Sequence, residues 1–363
     1  MRRGAMVLLL LGVVLSGGLL GTAALLDRGA SGIPPRLPAG HFTGMLTACL
    51  PEEQTESAYT GVGACLRDTL LAAEELGNLQ AARDDLGALV AARPWLHNYC
   101  HLAEHQVGAL IMGEPERVPE LLLAHPGNTC SWGIGHGLLE TFGAARPDDT
   151  TWDEVIATCR SLQTRPHPYP EVYALCADGI GHAAWDHHRE LRGAVLRCEA
   201  LDEPSAVSSC TAGIMMQQYR PAETGKQPAL DPADLERYCS TRWPSTRKDS
   251  LEGCATGTGY VLSLSLVGDT VSETLTTATN ANAGGPANPV NAAELQAASQ
   301  AAGRLATGVS VCTSMNDLAA TCHASLLTNL PTHLLTGETA WSTLCEGAGD
   351  VLRDTCRRLR TPS

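Results

Sequence analysis

Apolar residues recur every three or four positions along most of this chain, the spacing that places them on one face of an α-helix. Two such faces consist of Leu79, Ala82, Leu86, Leu89 and Val90, and of Trp152, Val155, Ile156 and Cys159. Thr151 and Glu154 have the spacing of a capping box and predict a helix start. Only residues 260–267 alternate in the way that is typical of a strand. The pattern therefore predicts an all-α fold.

The chain contains 14 cysteines, an even number, and none of them forms a C-x-x-C motif. This argues against zinc ribbons, thioredoxin-like redox sites and c-type haem attachment, and favours structural disulfides. Each successive pair straddles one predicted helical hairpin: Cys49/Cys65, Cys100/Cys130, Cys159/Cys176, Cys198/Cys210, Cys239/Cys254, Cys312/Cys322 and Cys345/Cys356. We therefore predict about seven disulfide-stapled helical hairpins, forming a solenoid or a closed α/α toroid.

A shorter signature repeats at the second cysteine of four consecutive pairs. In each case a glycine follows that cysteine by three residues, at Gly133, Gly179, Gly213 and Gly257. Four matches in register indicate an internal repeat, in which glycine permits close packing of neighbouring hairpins. The repeat is interrupted at about residues 276–308, a stretch rich in Ala, Thr, Asn and Gly. Within it, residues 291–305 have a helical pattern.

The N-terminus indicates the cellular compartment. Arg2 and Arg3 precede an uncharged apolar segment, residues 5–26, which as a helix of about 33 Å would cross a hydrocarbon core of about 30 Å. We interpret residues 1–28 as either a signal peptide or a single transmembrane anchor. A linker follows at residues 29–40, and the repeat domain spans residues 41–363. Both alternatives make the domain extracytoplasmic, either secreted or attached to the membrane only through this segment.

The charge of the chain excludes one class of partner. The formal net charge is −14, and no basic patch is visible that would neutralise the phosphates of a nucleic acid. Hydrophobic residues make up 44% of the chain, which is enough to fill a core. We therefore expect a folded domain that does not bind nucleic acid.

Histidines are concentrated in one part of the chain. Nine of the 12 lie within residues 97–188. Three pairs of potential metal ligands in this window have the i,i+4 spacing that places both members on one helix face: His101/His105, His136/Glu140 and His182/Asp186. Because each pair lies near a cysteine of the repeat, stacked hairpins would bring equivalent positions to one inner surface.

We predict that His101, His105, His136 and His182 together bind a transition-metal ion. Imidazole is a ligand of iron, copper and zinc, and the pattern does not distinguish these metals. Glu140 or Asp186 would ligate the ion or orient a ligand. Met216, in the same register one repeat later, is a further candidate. The alternative is that these histidines are hydrogen-bonded structural residues.

Residues 101–105 also match H-x-x-E-H and so resemble the motif of the inverted zinc peptidases. The resemblance implies that His101 and His105 bind zinc and that Glu104 is the general base. Glu140 or Glu171 would then supply a third ligand. Glu104 and Glu140 are accordingly our candidate catalytic residues.

Two classes of function follow from these patterns. The first is an exported metal-dependent enzyme, either an oxidoreductase or a zinc hydrolase, that acts on an unidentified small molecule or peptide. The second is a non-enzymatic helical-repeat scaffold that binds a peptide or protein on a concave face. An enzyme requires the four histidines to converge, whereas a scaffold leaves them dispersed.

Overall fold

The computed structural model describes most of the chain outside the N-terminal segment. The described residues are 37–50, 61–93, 96–125, 129–164, 172–201, 203–223, 232–267, 292–330 and 338–359. Within these ranges the protein is helical and contains no strand. The all-α prediction is confirmed for this part of the chain.

Sixteen α-helices lie in the described ranges. The first eight are α1 Thr43–Ala48, α2 Val62–Glu75, α3 Leu79–Ala92, α4 His97–Ile111, α5 Val118–Ala124, α6 Gly133–Ala145, α7 Asp149–Thr164 and α8 Val172–His188. The other eight are α9 Leu191–Glu199, α10 Pro204–Glu223, α11 Pro232–Arg237, α12 Lys248–Val267, α13 Ala292–Ser314, α14 Ala319–Thr328, α15 Glu338–Glu346 and α16 Gly349–Arg358. Short 3₁₀ turns precede α5, α6 and α14, and a π-helical turn follows α11.

Seven helices form one continuous row. In this row α2, α4, α6, α8, α10, α12 and α14 each pack against the next, and α13 packs against α12, α14 and α15. Glycines at the crossings explain the close approach. A Cβ atom at Gly181 would collide with the carbonyl of Cys210, and one at Gly213 would collide with the carbonyl of Asp178. The repeated glycines therefore bring successive hairpins into backbone contact.

All seven predicted disulfides are present. They join Cys49–Cys65, Cys100–Cys130, Cys159–Cys176, Cys198–Cys210, Cys239–Cys254, Cys312–Cys322 and Cys345–Cys356. Each bridge closes a short loop between helical segments close in sequence, which restricts the unfolded chain and so stabilises the fold. Abundant disulfides are typical of proteins in an oxidising environment.

Two local predictions differ from the structure. Helix α7 begins at Asp149, before the predicted capping box, because Asp148 accepts hydrogen bonds from the backbone and hydroxyl of Thr151 at 2.9 and 2.8 Å. Residues 260–267 belong to helix α12 and not to a strand. That helix packs against both α10 and α14. Burial on two sides obscures the helical period of its apolar residues.

Parts of the predicted domain organisation lie outside the described residues. These are the apolar segment at residues 5–26, most of the linker and residues 276–291 of the insertion. The helical pattern at residues 291–305 is confirmed by α13, which begins at Ala292. No helix in the described ranges is both long and apolar enough to cross a bilayer.

Candidate metal centre

Helix α4 presents two of the predicted ligands. His101 and His105 are one turn apart, so both rings lie on the side of α4 that packs against α6. Gly137 of α6 lies against the backbone of His105, where a Cβ atom would collide with the carbonyl group. This contact brings α6, which carries His136, close to α4.

The segment that enters α6 has an unusual backbone. Cys130, Ser131 and Trp132 have left-handed φ values of +50°, +53° and +58°. Each such residue costs about 1–2 kcal/mol when it is not glycine. A disulfide holds this turn to α4, and the Trp132 indole donates to the carbonyl of His125 at 2.9 Å. As a result the Cys130 carbonyl accepts a hydrogen bond of 2.7 Å from His101 Nδ1.

Three of the predicted ligands converge. One ring nitrogen from each of His101, His105 and His136 lies within 4.8 Å of the other two. The two Nε2 atoms of His101 and His105 are 2.9 Å apart. Two nitrogens on one ion with bonds of about 2.1 Å are separated by about 3.0–3.4 Å, so this spacing is close to that of two ligands of one metal.

His105 and His136, like His101, each have the ring nitrogen that points away from the group in contact with a protein oxygen. His105 Nδ1 lies 3.3 Å from Oε1 of Glu140. His136 Nε2 donates to the carbonyl of Leu175 at 3.0 Å and lies 3.4 Å from Oδ2 of Asp178. Each ring is thus held with its opposite nitrogen toward the group. Metal-binding histidines almost always have such a partner on the non-ligating nitrogen.

His182, the fourth predicted ligand, lies beside this group and not within it. Its ring stacks on His136 with centroids 5.5 Å apart and planes inclined by 16°. Its Nδ1 lies 3.0 Å from both Glu140 Oε1 and Gln217 Oε1. Its Nε2 lies 3.5 Å from Oδ2 of Asp178. The four histidines therefore share one site, with two carboxylates between them.

The charges in the site differ from one imidazole to the next. Burial lowers the pKa of His101 to about 3 and that of His136 to about 4, so both rings are neutral at physiological pH. Burial would also lower the pKa of His182, but hydrogen bonds and charges from Asp178 and Glu140 outweigh it and raise this pKa to about 10. Neutral imidazole is the form that coordinates a metal.

Glu140 carries a negative charge within the site. Burial opposes its ionisation, but the charges and hydrogen bonds of His105 and His182 hold its pKa well below the ordinary range. Its side chain is 14% exposed and that of Asp178 is 16% exposed. Both carboxylates are therefore partly solvent-accessible, beside the buried His105, His136 and His182.

Glu104, the predicted general base, has a different environment. Its side chain is fully buried and forms an ion pair with Arg83, with 2.7 Å between Oε1 and Nε. Its Oε2 accepts from the backbone of Ile134 at 3.4 Å. Both carboxylate oxygens are thus engaged in joining α3, α4 and α6. This geometry favours a structural role for Glu104.

Two further residues were predicted to ligate the metal or to orient a ligand, Asp186 and Glu171. Asp186 accepts a hydrogen bond of 2.7 Å from Gln217 and pairs with Arg189, so it supports the site from a distance. Glu171 lies outside the described residues. Sequence reasoning missed Asp178 and Gln217. Asp178 could have been found, because it precedes His182 by four residues, the same spacing as between the other ligand pairs.

No protein-family model, no curated protein and no solved structure matches this chain. The functional inference therefore depends on the geometry of the site.

Proposed function

We propose that this protein is an extracytoplasmic metal-dependent enzyme that holds a transition-metal ion through His101, His105 and His136. The observation that carries the proposal is the convergence of one ring nitrogen from each of the three histidines within 4.8 Å. The anchoring of the second nitrogen of each ring supports it. Zinc, iron and copper all accept three imidazole ligands.

A three-histidine centre is suited to catalysis. Catalytic zinc sites have three protein ligands and keep one position for water or substrate, whereas structural sites are closed by four. A bound ion would supply Lewis acidity and acidify a coordinated water. The chain itself contributes Glu140, whose carboxylate is ionised and partly solvent-accessible. We propose Glu140 as the catalytic carboxylate that orients His105 and stabilises positive charge beside the ion; its lowered pKa makes it a weak base.

The resemblance to inverted zinc peptidases is supported only in part. Both histidines of the motif belong to the converging group. Glu104, which would be the general base in that mechanism, is enclosed by Arg83 and the start of α6. If the enzyme is a zinc hydrolase, we propose that it acts without Glu104 as the base.

The proposed architecture is a row of disulfide-stapled hairpins in a solenoid or closed toroid, exported through the N-terminal segment. The seven disulfides support an oxidising compartment. A non-enzymatic scaffold is the alternative. It does not require four histidines and two carboxylates to be in contact, so the site favours the enzyme.

Metal analysis of the protein tests this proposal. We expect protein purified from an oxidising compartment, then stripped and reloaded with Co²⁺, to bind the ion tightly and to show ligand-field absorption. His136→Ala should abolish this tight binding. His323→Ala is the matched control. His323 lies outside the site, on α14, where its Nε2 lies 3.1 Å from the carbonyl of Val309 on α13. This variant should bind Co²⁺ as the wild type does. Absence of tight binding in the wild type would refute the proposal.

A further inference from the structure

His182 has a buried ring nitrogen whose contact with the protein is a poor hydrogen bond. Its Nδ1 is held by Glu140 and Gln217, both at 3.0 Å. Its other nitrogen, Nε2, is buried; Oδ2 of Asp178 lies 3.5 Å away but does not meet good hydrogen-bond geometry. The side chain is only 9% exposed. An unsatisfied buried polar atom is costly, and this one lies beside a carboxylate oxygen, an arrangement that a shared cation would satisfy.

Asp178 is placed to share that ligand. Its Oδ2 lies 3.5 Å from His182 Nε2. Two ligand atoms bonded to one ion at about 2.0–2.2 Å are separated by about 3 Å or slightly more, so the two atoms are close to the spacing of adjacent ligands. Among the described residues, no arginine or lysine forms an ion pair with Asp178; its ionisable neighbours are the neutral His136 and the protonated His182.

Both carboxylates of the site lie between His182 and the three-histidine group. Asp178 Oδ2 is 3.4 Å from His136 Nε2 as well as 3.5 Å from His182 Nε2. Glu140 Oε1 is 3.3 Å from His105 Nδ1 and 3.0 Å from His182 Nδ1. Carboxylates between two sets of imidazoles are suited to two neighbouring cations, because each negative charge then faces both.

We infer that the site binds a second divalent transition-metal ion, ligated by His182 Nε2 and Asp178 Oδ2, beside the ion of His101, His105 and His136. This inference rests on the proposed function, since it places the second ion next to the first. The second ion would take the place of the proton that His182 carries in its absence, and that proton would be released to solvent. Two-metal sites with such ligands typically catalyse hydrolytic displacement, in which the ions stabilise the attacking and leaving oxygens. The substrate class that follows is a hydrolysable ester, amide or phosphoester.

The stoichiometry of metal binding by the full chain tests the inference. We expect apo protein titrated with Mn²⁺ to bind two ions, and the two spins to be magnetically coupled in electron paramagnetic resonance. Asp178→Asn, which preserves the shape of the side chain, should lower the affinity for the second ion more than about 100-fold, because it removes a direct ligand. Asp149→Asn is the control, since Asp149 pairs with Arg197 on the surface and should leave both ions bound.

The outcomes separate this inference from the proposed function. One ion per wild-type chain, lost in His136→Ala but retained in Asp178→Asn, overturns the second site and leaves the three-histidine site intact. Two uncoupled ions, or two coupled ions that persist in Asp178→Asn, also overturn it. No bound ion refutes both proposals. A single ion, or two uncoupled ions, in the wild type overturns the second site even if a variant fails to fold.

Discussion

The buried ion pair between Arg83 and Glu104 provides a test of how the site is supported. Both side chains are fully buried, and they connect α3 to α4, the helix that carries His101 and His105. Glu104→Gln removes the negative charge but keeps the shape of the side chain. The Arg83 guanidinium would then be buried without its counter-ion.

The expected loss of stability is large. Removal of one partner from a buried ion pair costs about 3–5 kcal/mol, because the other charge stays desolvated. The double variant Arg83→Met with Glu104→Leu removes both charges and should recover most of this loss. An exposed pair is the control: Asp68→Asn breaks a contact with Arg67 at a side chain that is 66% exposed, and should cost at most about 1 kcal/mol.

Urea unfolding with intact disulfides, followed by far-ultraviolet circular dichroism, measures these differences. We also expect Glu104→Gln, under conditions where it is folded, to retain Co²⁺ binding within about tenfold of the wild type. A loss of less than about 1 kcal/mol would contradict the structural role that we assign to Glu104. If that stable variant also lost all hydrolytic activity, the general-base prediction would regain support.

Three further predictions concern the site and the helix row. Glu140→Gln should weaken the metal bound at the three-histidine group about 10–100-fold, measured by competition with a chelator, because the carboxylate orients a ligating ring. The apo protein should be most stable near pH 6.5. The pKa of His136 falls from 6.5 to about 4 on folding, so stability is lost as pH falls through this window, on the order of 3 kcal/mol at pH 4. The pKa of His182 rises to about 10 on folding. The stabilisation from His182 is therefore complete below pH 6.5 and is lost as pH rises toward 10. Urea midpoints across pH check this, and a stability that rises steadily from pH 6.5 to 10 would count against it. Gly181→Ala should destabilise the fold by about 1–3 kcal/mol in thermal melts, because the new Cβ would collide with the backbone of α10, whereas Gly63→Ala, with open space around it, should be neutral or stabilising.

The sequence was most informative where structure is local. The spacing of His101 and His105 needs only one helix, and the disulfide pairs join segments close in sequence. The repeated glycines indicated close packing of hairpins, and Gly181 lies at such a contact. These features follow from helical periodicity and from the repeat, so a pattern along the chain is sufficient to predict them.

The sequence was less informative where partners come from different hairpins. Equivalent register predicted that His182 lies with the other three ligands, but in the structure it stacks beside His136 and lies outside the converging group. Gln217 approaches from α10, and Arg83 reaches Glu104 from α3. No periodicity along one helix encodes these contacts, because they depend on how the helices cross.

X-ray absorption spectroscopy of the protein loaded with one equivalent of Zn²⁺ tests the central claim most directly. The proposal predicts nitrogen ligands at about 2.0–2.1 Å with the outer scattering of three imidazoles, and loss of this three-imidazole signature in His136→Ala, which should no longer bind zinc tightly. A zinc environment without imidazole scattering, or one that is unchanged in His136→Ala, would contradict a metal centre at His101, His105 and His136.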